Sequence, residues 1–231
     1  MNQQNNPNMT RHNLRLVGES SSNGGFFDEV RVTGDAEFNG DVDCQSFKCT
    51  GNSAVDGSLS ADLLKITGNL GVEGNLNVAN MQLTGELKVN GHITGGKVQL
   101  FGECAANGEI RAEHFLIKGV VQAEGMLNAE QVEIRMLGSS RTREIVGTHI
   151  EVKPYEPGKW MPWLWHGSKK ELEASIIEGD VIRLRNVTAD VVRGGDVEIG
   201  PGCRIRLVEY SEALRQDEQS EVGQSVKRTV E

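Results

Sequence analysis

Aromatic side chains are scarce, with 6 Phe, 3 Trp and 2 Tyr making up 5% of 231 residues. That excludes a wide globular core organised on large rings. Cysteine is as sparse. The four Cys form no C-x-x-C pair and no Cys/His cluster of metal spacing, so neither a disulfide framework nor a zinc site is encoded. Cys44, Cys49 and Cys104 fall among aliphatic positions and read as small core hydrophobes in a reducing compartment. No apolar run is long enough for a signal peptide or a membrane span, which points to a cytoplasmic protein. No G-x-x-x-x-G-K-[ST] loop is present to cradle nucleotide phosphates, and no cofactor is expected. Positive charge is short too, with 24 Lys and Arg against 33 Asp and Glu, a net of −9. Residues 26–135 hold 8 basic and 16 acidic side chains, which excludes a nucleic-acid groove. The local exception is Arg31, Lys48 and Lys65, stacked outward on one face and read as a solvated ladder.

Glycine, by contrast, is abundant at 28 residues, and much of it lies in two columns. One is Gly34, Gly51, Gly68, Gly85, Gly102 and Gly119; the other is Gly40, Gly57, Gly74, Gly91, Gly108 and Gly125. A fixed short period with stacked turns is the mark of a solenoid whose repeats pack only on their neighbours. Apolar residues alternate within each 17-residue period, as at Val30 and Val32, Ala36 and Phe38, Val42 and Cys44. Stepping by the period from Val32 gives Cys49, Ile66, Leu83, Leu100, Ile117 and Ile134. Period-two alternation over short runs means strands, and three such steps per turn of chain make a β-helix. Helical repeats are excluded, because a glycine every 6 or 11 residues would weaken every helix.

The turn chemistry agrees. Asn, Asp or Glu precedes every member of the second glycine column, at Asn39, Asp56, Glu73, Asn90, Asn107 and Glu124, and such pairs suit positive φ. A threonine ladder, Thr33, Thr50, Thr67 and Thr84, precedes the first column and is expected to hydrogen-bond from coil to coil.

Four segments follow from composition. Residues 1–24 read as a disordered polar tail, with Leu14, Leu16 and Val17 suited to cap the first coil. Residues 25–137 form the regular β-helix. Residues 138–211 continue it less regularly, interrupted at about 154–170 by a Trp/Pro-rich insertion. Residues 212–231 read as a charged, solvated tail, with a short helical turn as a possible feature.

Within the insertion, Trp160, Trp163 and Trp165 are too bulky for a narrow coil. They suit a loop folded on a solenoid face, a partner-protein anchor, or a contact with an anionic membrane surface beside Lys159, Lys169 and Lys170. An enzyme would need converging groups. Glu113 and Glu130 could mimic a carboxylate dyad, but their spacing places them on a solvated face. His92 and His114 stand alone, and 17 is not the 18 of hexapeptide acyltransferases. No catalytic, cofactor or metal residues are therefore assigned.

The repeats FDEVRVTGDAEFNGDVDC (27–44), LLKITGNLGVEGNLNVA (63–79) and MQLTGELKVNGHI (81–93) resemble those of the bactofilins, or polymer-forming cytoskeletal proteins. The stretch EGDVIRLRNVTADVVRGGDVEIGPGCRIRLVEYSE (178–212) is similar to the C-terminal part of firmicute members, so the resemblance covers roughly residues 25–212. It implies a right-handed β-helix that assembles head-to-head and tail-to-tail into nucleotide-independent filaments, often near the membrane. The length of this chain and its Trp-bearing insertion depart from smaller members. A structural scaffold for envelope, shape or motility machinery is the expected function. The implied partners are the protein itself, a paralogue and client proteins. A non-polymerising adaptor for an envelope or motility protein is the alternative, and a polysaccharide-acting β-helix enzyme a remote one.

Polymerisation also follows from the ends of any β-helix, where unpaired backbone groups and the rims of apolar columns template another chain. The rim residues expected from the pattern are Phe27, Val30 and Val32 at the N-terminal end, and Ile199, Ile205 and Leu207 at the C-terminal end.

Overall fold

The computed structural model describes residues 11–156 and 170–229. Its regular structure is one sheet of twelve parallel strands stacked in chain order. These are β1 (His12–Ser22), β2 (Gly25–Phe38), β3 (Val42–Val55), β4 (Leu59–Val72), β5 (Leu76–Val89), β6 (Ile93–Ala106), β7 (Ile110–Met136), β8 (Ser140–Pro154), β9 (Leu172–Leu184), β10 (Val187–Ile199), β11 (Arg204–Gln216) and β12 (Glu221–Lys227). Each strand is a bent coil rather than a straight ribbon, and β7 runs through most of two turns. No helix occurs among the described residues.

The register reproduces the period. Val30 pairs with Phe47, Phe47 with Leu64, Leu64 with Met81 and Met81 with Val98, all with buried side chains. Buried positions come in three pairs per coil, such as Val30/Val32, Ala36/Phe38 and Val42/Cys44. Between pairs the chain turns, at 33–35, 39–41 and 45–46, so the coil has three faces. We denote them A (Val30 to Val32), B (Ala36 to Phe38) and C (Val42 to Cys44). The interior is one continuous apolar column of width set by Val, Leu and Ile, which is why so few rings are needed. Phe38 and Phe47 meet in it at a centroid distance of 5.5 Å.

The two glycine columns answer different demands. Gly34, Gly51, Gly68, Gly85 and Gly102 have φ between +112° and +138°, and a Cβ on Gly68 would stand 2.0 Å from the Gly51 carbonyl oxygen. In the second column only Gly40 has positive φ. There the requirement is close approach instead. The Gly74 N–H donates to the Gly57 carbonyl at 2.8 Å, and a Cβ on Gly74 would come within 2.8 Å of that same carbonyl. The preceding Asn, Asp and Glu are not left-handed; Asn186 is the one non-glycine residue with positive φ among those described. Their side chains instead form a ladder, Asn107 donating to Asn90 at 3.2 Å and Asn90 to Glu73. The Thr33 to Thr84 ladder stacks in register and is exposed, but no hydrogen bond joins its hydroxyls.

The 17-residue step ends at β7. Gln122 pairs with Arg141 and Met126 with Glu144, so this coil is longer by one or two residues. The insertion lies between β8 and β9, where Ser140 pairs with Leu172, and the stack then resumes. The next step is shorter, 15 residues from Leu172 to Val187. Changing step lengths erase the period in sequence while the coils remain stacked.

Both expected tails differ from the structure where it describes them. Residues 12–22 are the first coil, and Leu14 and Leu16 do cap Val30 and Val32. At the other end, β11 runs on to Gln216 and β12 adds a further exposed strand in place of a repeat-free tail. Each gains backbone pairing that composition does not reveal.

Candidate functional site: the two ends of the stack

The ends of the stack are β1 and β12, and neither has a strand on its outer edge among the described residues. At the N-terminal end, Leu14 and Leu16 lie over face A and are half-buried. Ser20 and Ser22 lie over face B. His12 packs edge-on against Phe27, with centroids 5.1 Å apart. Arg11 pins the start of the coil by donating to the Phe27 carbonyl at 3.0 Å and to Asp43 at 2.7 Å. Val17 is 63% exposed on this rim.

The rim therefore sits one coil further out than the sequence pattern suggests. Phe27, Val30 and Val32 are all buried beneath β1. At the C-terminal end Ile199 and Ile205 are buried as well, beneath Gln216 and Val222 respectively. Leu207 lies half-buried at a corner, paired with Gln224. The exposed C-terminal rim is instead Val222 on β12 together with Leu214 at the end of β11, which β12 leaves uncovered. The misplacement arose because each terminal coil is mostly polar, and backbone pairing rather than apolar patterning holds it. The apolar trio Leu14, Leu16 and Val17 was the available signal.

A charged ladder secures the C-terminal end. Arg193 donates to Glu178 at 2.7 Å and to Glu209 at 2.8 Å, and Arg228 donates to Glu209 at 2.6 Å. These hydrogen bonds, that from Arg193 foremost, hold the Glu209 carboxyl below the usual carboxylate range. The same contacts raise Arg193.

Elsewhere the surface carries ladders. The Asp41 carboxylate accepts the Ser58 N–H at 2.7 Å, Asn75 Oδ1 accepts the His92 N–H at 2.9 Å, and His92 Nδ1 accepts the Glu109 N–H at 3.0 Å. His92 is thus a turn cap, and His114 bonds Gln131 at 2.9 Å. Glu113 and Glu130 are both exposed. All four Cys are buried, and burial pushes the Cys44 and Cys104 thiols up to about 12. Among the described residues no group of three or more His, Cys, Asp or Glu is arranged to hold a metal. No helix is long and apolar enough to cross a membrane. Trp160, Trp163 and Trp165 lie outside the described residues.

Comparison with known proteins adds family and relatives to this geometry. Residues 10–110 match the family described as Bactofilin, polymer-forming cytoskeletal. The chain is 39% identical over 88 residues to the uncharacterized protein YhbF of Bacillus subtilis, a match covering 38% of this chain and 35% of that protein. It is 40% identical over 98 residues to the uncharacterized protein YhbE of the same organism, covering 42% of this chain and 40% of the relative. The matched region thus spans well under half the length of both curated relatives. No solved structure matches.

Proposed function

From a chain whose residues 10–110 are a bactofilin segment, we propose a structural cytoskeletal protein that self-assembles end to end, without nucleotide, into filaments. The carrying observation is the pair of open coil ends, where β1 and β12 each present an unpaired backbone edge over half-buried Leu14, Leu16, Val222 and Leu214. An uncapped edge of a parallel stack favours addition of a further strand. A rod has two such ends, so repeated contacts build an open polymer. The filament would lie in the cytoplasm and scaffold envelope, shape or motility machinery. Its partners would be further copies, a paralogue and client proteins, and the tryptophan segment would supply a protein or membrane contact. The role assigned to it is architectural and not catalytic.

Negative-stain electron microscopy and sedimentation of the full chain test this reading. The wild type should form filaments without nucleotide. Leu16→Arg or Val222→Arg should leave the coil folded by circular dichroism and shorten the filaments sharply. One large apolar contact contributes about 1.5–3 kcal/mol, so each junction should weaken about tenfold or more. A wild type that stays monomeric at high concentration would overturn the proposal.

A further inference from the structure

The charges outside the ends are sorted by face. On face A, Arg15, Arg31, Lys48 and Lys65 pair in register on four successive strands, β1 to β4. Arg31 and Lys48 share Glu29, each at 2.9 Å, while Arg15 and Lys65 have no ion-pair partner among the described residues. The residues beside them are uncharged: Val17, Thr33, Thr50 and Thr67. The result is a flat, exposed basic stripe on a chain of net charge −9.

The corner between faces B and C lies opposite face A in a three-sided coil. It carries Asp41, Asp56 and Glu73 on the same successive turns of chain that carry Arg31, Lys48 and Lys65. All three carboxylates are exposed and none is in an ion pair; Asp41 accepts only the Ser58 N–H, and Glu73 an Asn90 side-chain N–H. Basic face and acidic ridge therefore stand back to back.

We propose that copies of this chain also pair side by side, the Arg31–Lys48–Lys65 stripe of one facing the Asp41–Asp56–Glu73 ridge of the next. This goes beyond end-to-end assembly, since stripe and ridge are on the flanks and not the rims. A second copy is favoured as occupant by pitch. Cations and carboxylates both repeat once per coil, at roughly 4.8 Å, so every coil of one rod meets its counterpart in register. The contact is heterologous, so it propagates into ribbons of parallel rods rather than closed dimers. One exposed pair strengthens association roughly twofold, which makes three pairs worth about tenfold per chain. Filaments multiply this along their length, so bundling follows polymerisation.

Two full-length variants test the pairing. One carries Arg31→Glu, Lys48→Glu and Lys65→Glu. The other carries Asp41→Asn, which keeps the Ser58 cap, with Asp56→Lys and Glu73→Lys. Wild type should form bundles at low salt that part into single filaments at about 0.5 M salt, where charges are screened within a few ångströms. Each variant alone should give single filaments at both, and an equimolar mixture should bundle again at low salt. Bundles that persist in either variant alone, an absence of bundles in the wild type at low salt, or a mixture that fails to bundle would overturn the pairing and leave end-to-end assembly standing. So would loss of binding to phosphatidylglycerol vesicles by the stripe variant with its bundles intact, which would assign the stripe to a membrane. If no protein forms filaments, the end-to-end reading falls instead. The side-by-side contact is then read from salt-sensitive sedimentation of the mixture against either variant, and equal sedimentation overturns it.

Discussion

A methyl group on Gly68 would stand 2.0 Å from the Gly51 carbonyl oxygen, in a backbone whose φ is +128°. Three residues on, Gly71 has ordinary φ and nothing within 4 Å of the same position. Gly68→Ala should therefore cost at least about 2 kcal/mol, from left-handed strain plus displacement of the coil below. Gly71→Ala should be neutral, or stabilising by about 0.5 kcal/mol through a less flexible unfolded chain. Urea denaturation of the two variants checks the contrast, and equal midpoints would contradict it. Leu83 poses the same question for side chains. It is 3% exposed with Ile66 and Leu100 in register on either side, whereas neighbouring Gln82 is exposed. Leu83→Asp buries a carboxylate without a partner and should unfold or truncate the stack, while Gln82→Asp should change stability by less than about 0.5 kcal/mol. Thermal melts followed by circular dichroism separate the two.

Among the elements, β12 is the least secured, since its side chains are largely exposed and its edge is open. Glu209 joins it to the stack through Arg228 and joins β10 through Arg193. Because the folded carboxyl titrates below its unfolded value near 4.3, this support is complete above that pH. It is lost as pH falls through the lowered folded value. Amide exchange in residues 221–227 should therefore accelerate in that acid window ahead of β3 to β6. In Glu209→Gln it should already be fast at neutral pH and lose its acid step; unchanged exchange in that variant would remove the ladder from the account. The same elements show what sequence could reveal. The coils from β2 to β7 were legible because every inward position and both glycine columns repeat at one step. The later coils change step at Gln122–Arg141, Ser140–Leu172 and Leu172–Val187, so stacking survives while periodicity does not. The terminal coils were misread as tails because Ser20, Ser22, Gln224 and Ser225 occupy positions that are aliphatic elsewhere. Backbone bonds hold them there. The assembly rim was accordingly placed one coil too deep.

On the scale of the whole molecule, each coil touches only the coils beside it, so stability is close to a sum over neighbours. Deleting residues 68–84 joins Thr67 to Gly85 and removes one whole turn with every column intact. The shortened chain should fold, with a rod shorter by roughly 4.8 Å and a slightly lower melting temperature. Deleting 68–83 instead leaves an extra residue, turns downstream side chains to the wrong face and should prevent cooperative folding. Circular dichroism of both deletions decides the matter; equal melts would mean that the columns are not what holds the stack.

The backbone hydrogen bonds between coils all point along the long axis, as with Val42 N–H to the Ser58 carbonyl and Leu59 N–H to that of Asn75. In mechanical terms the rod is a beam whose fibres are those bonds, arranged around a perimeter. Bending it stretches the bonds on one side while squeezing the tightly packed glycine corners on the other, and neither yields easily. A tensile load is shared by all bonds of a coil at once, so the body of the rod does not peel open one bond at a time. Compliance is left to the two ends, where β12 grips only part of the coil beneath it.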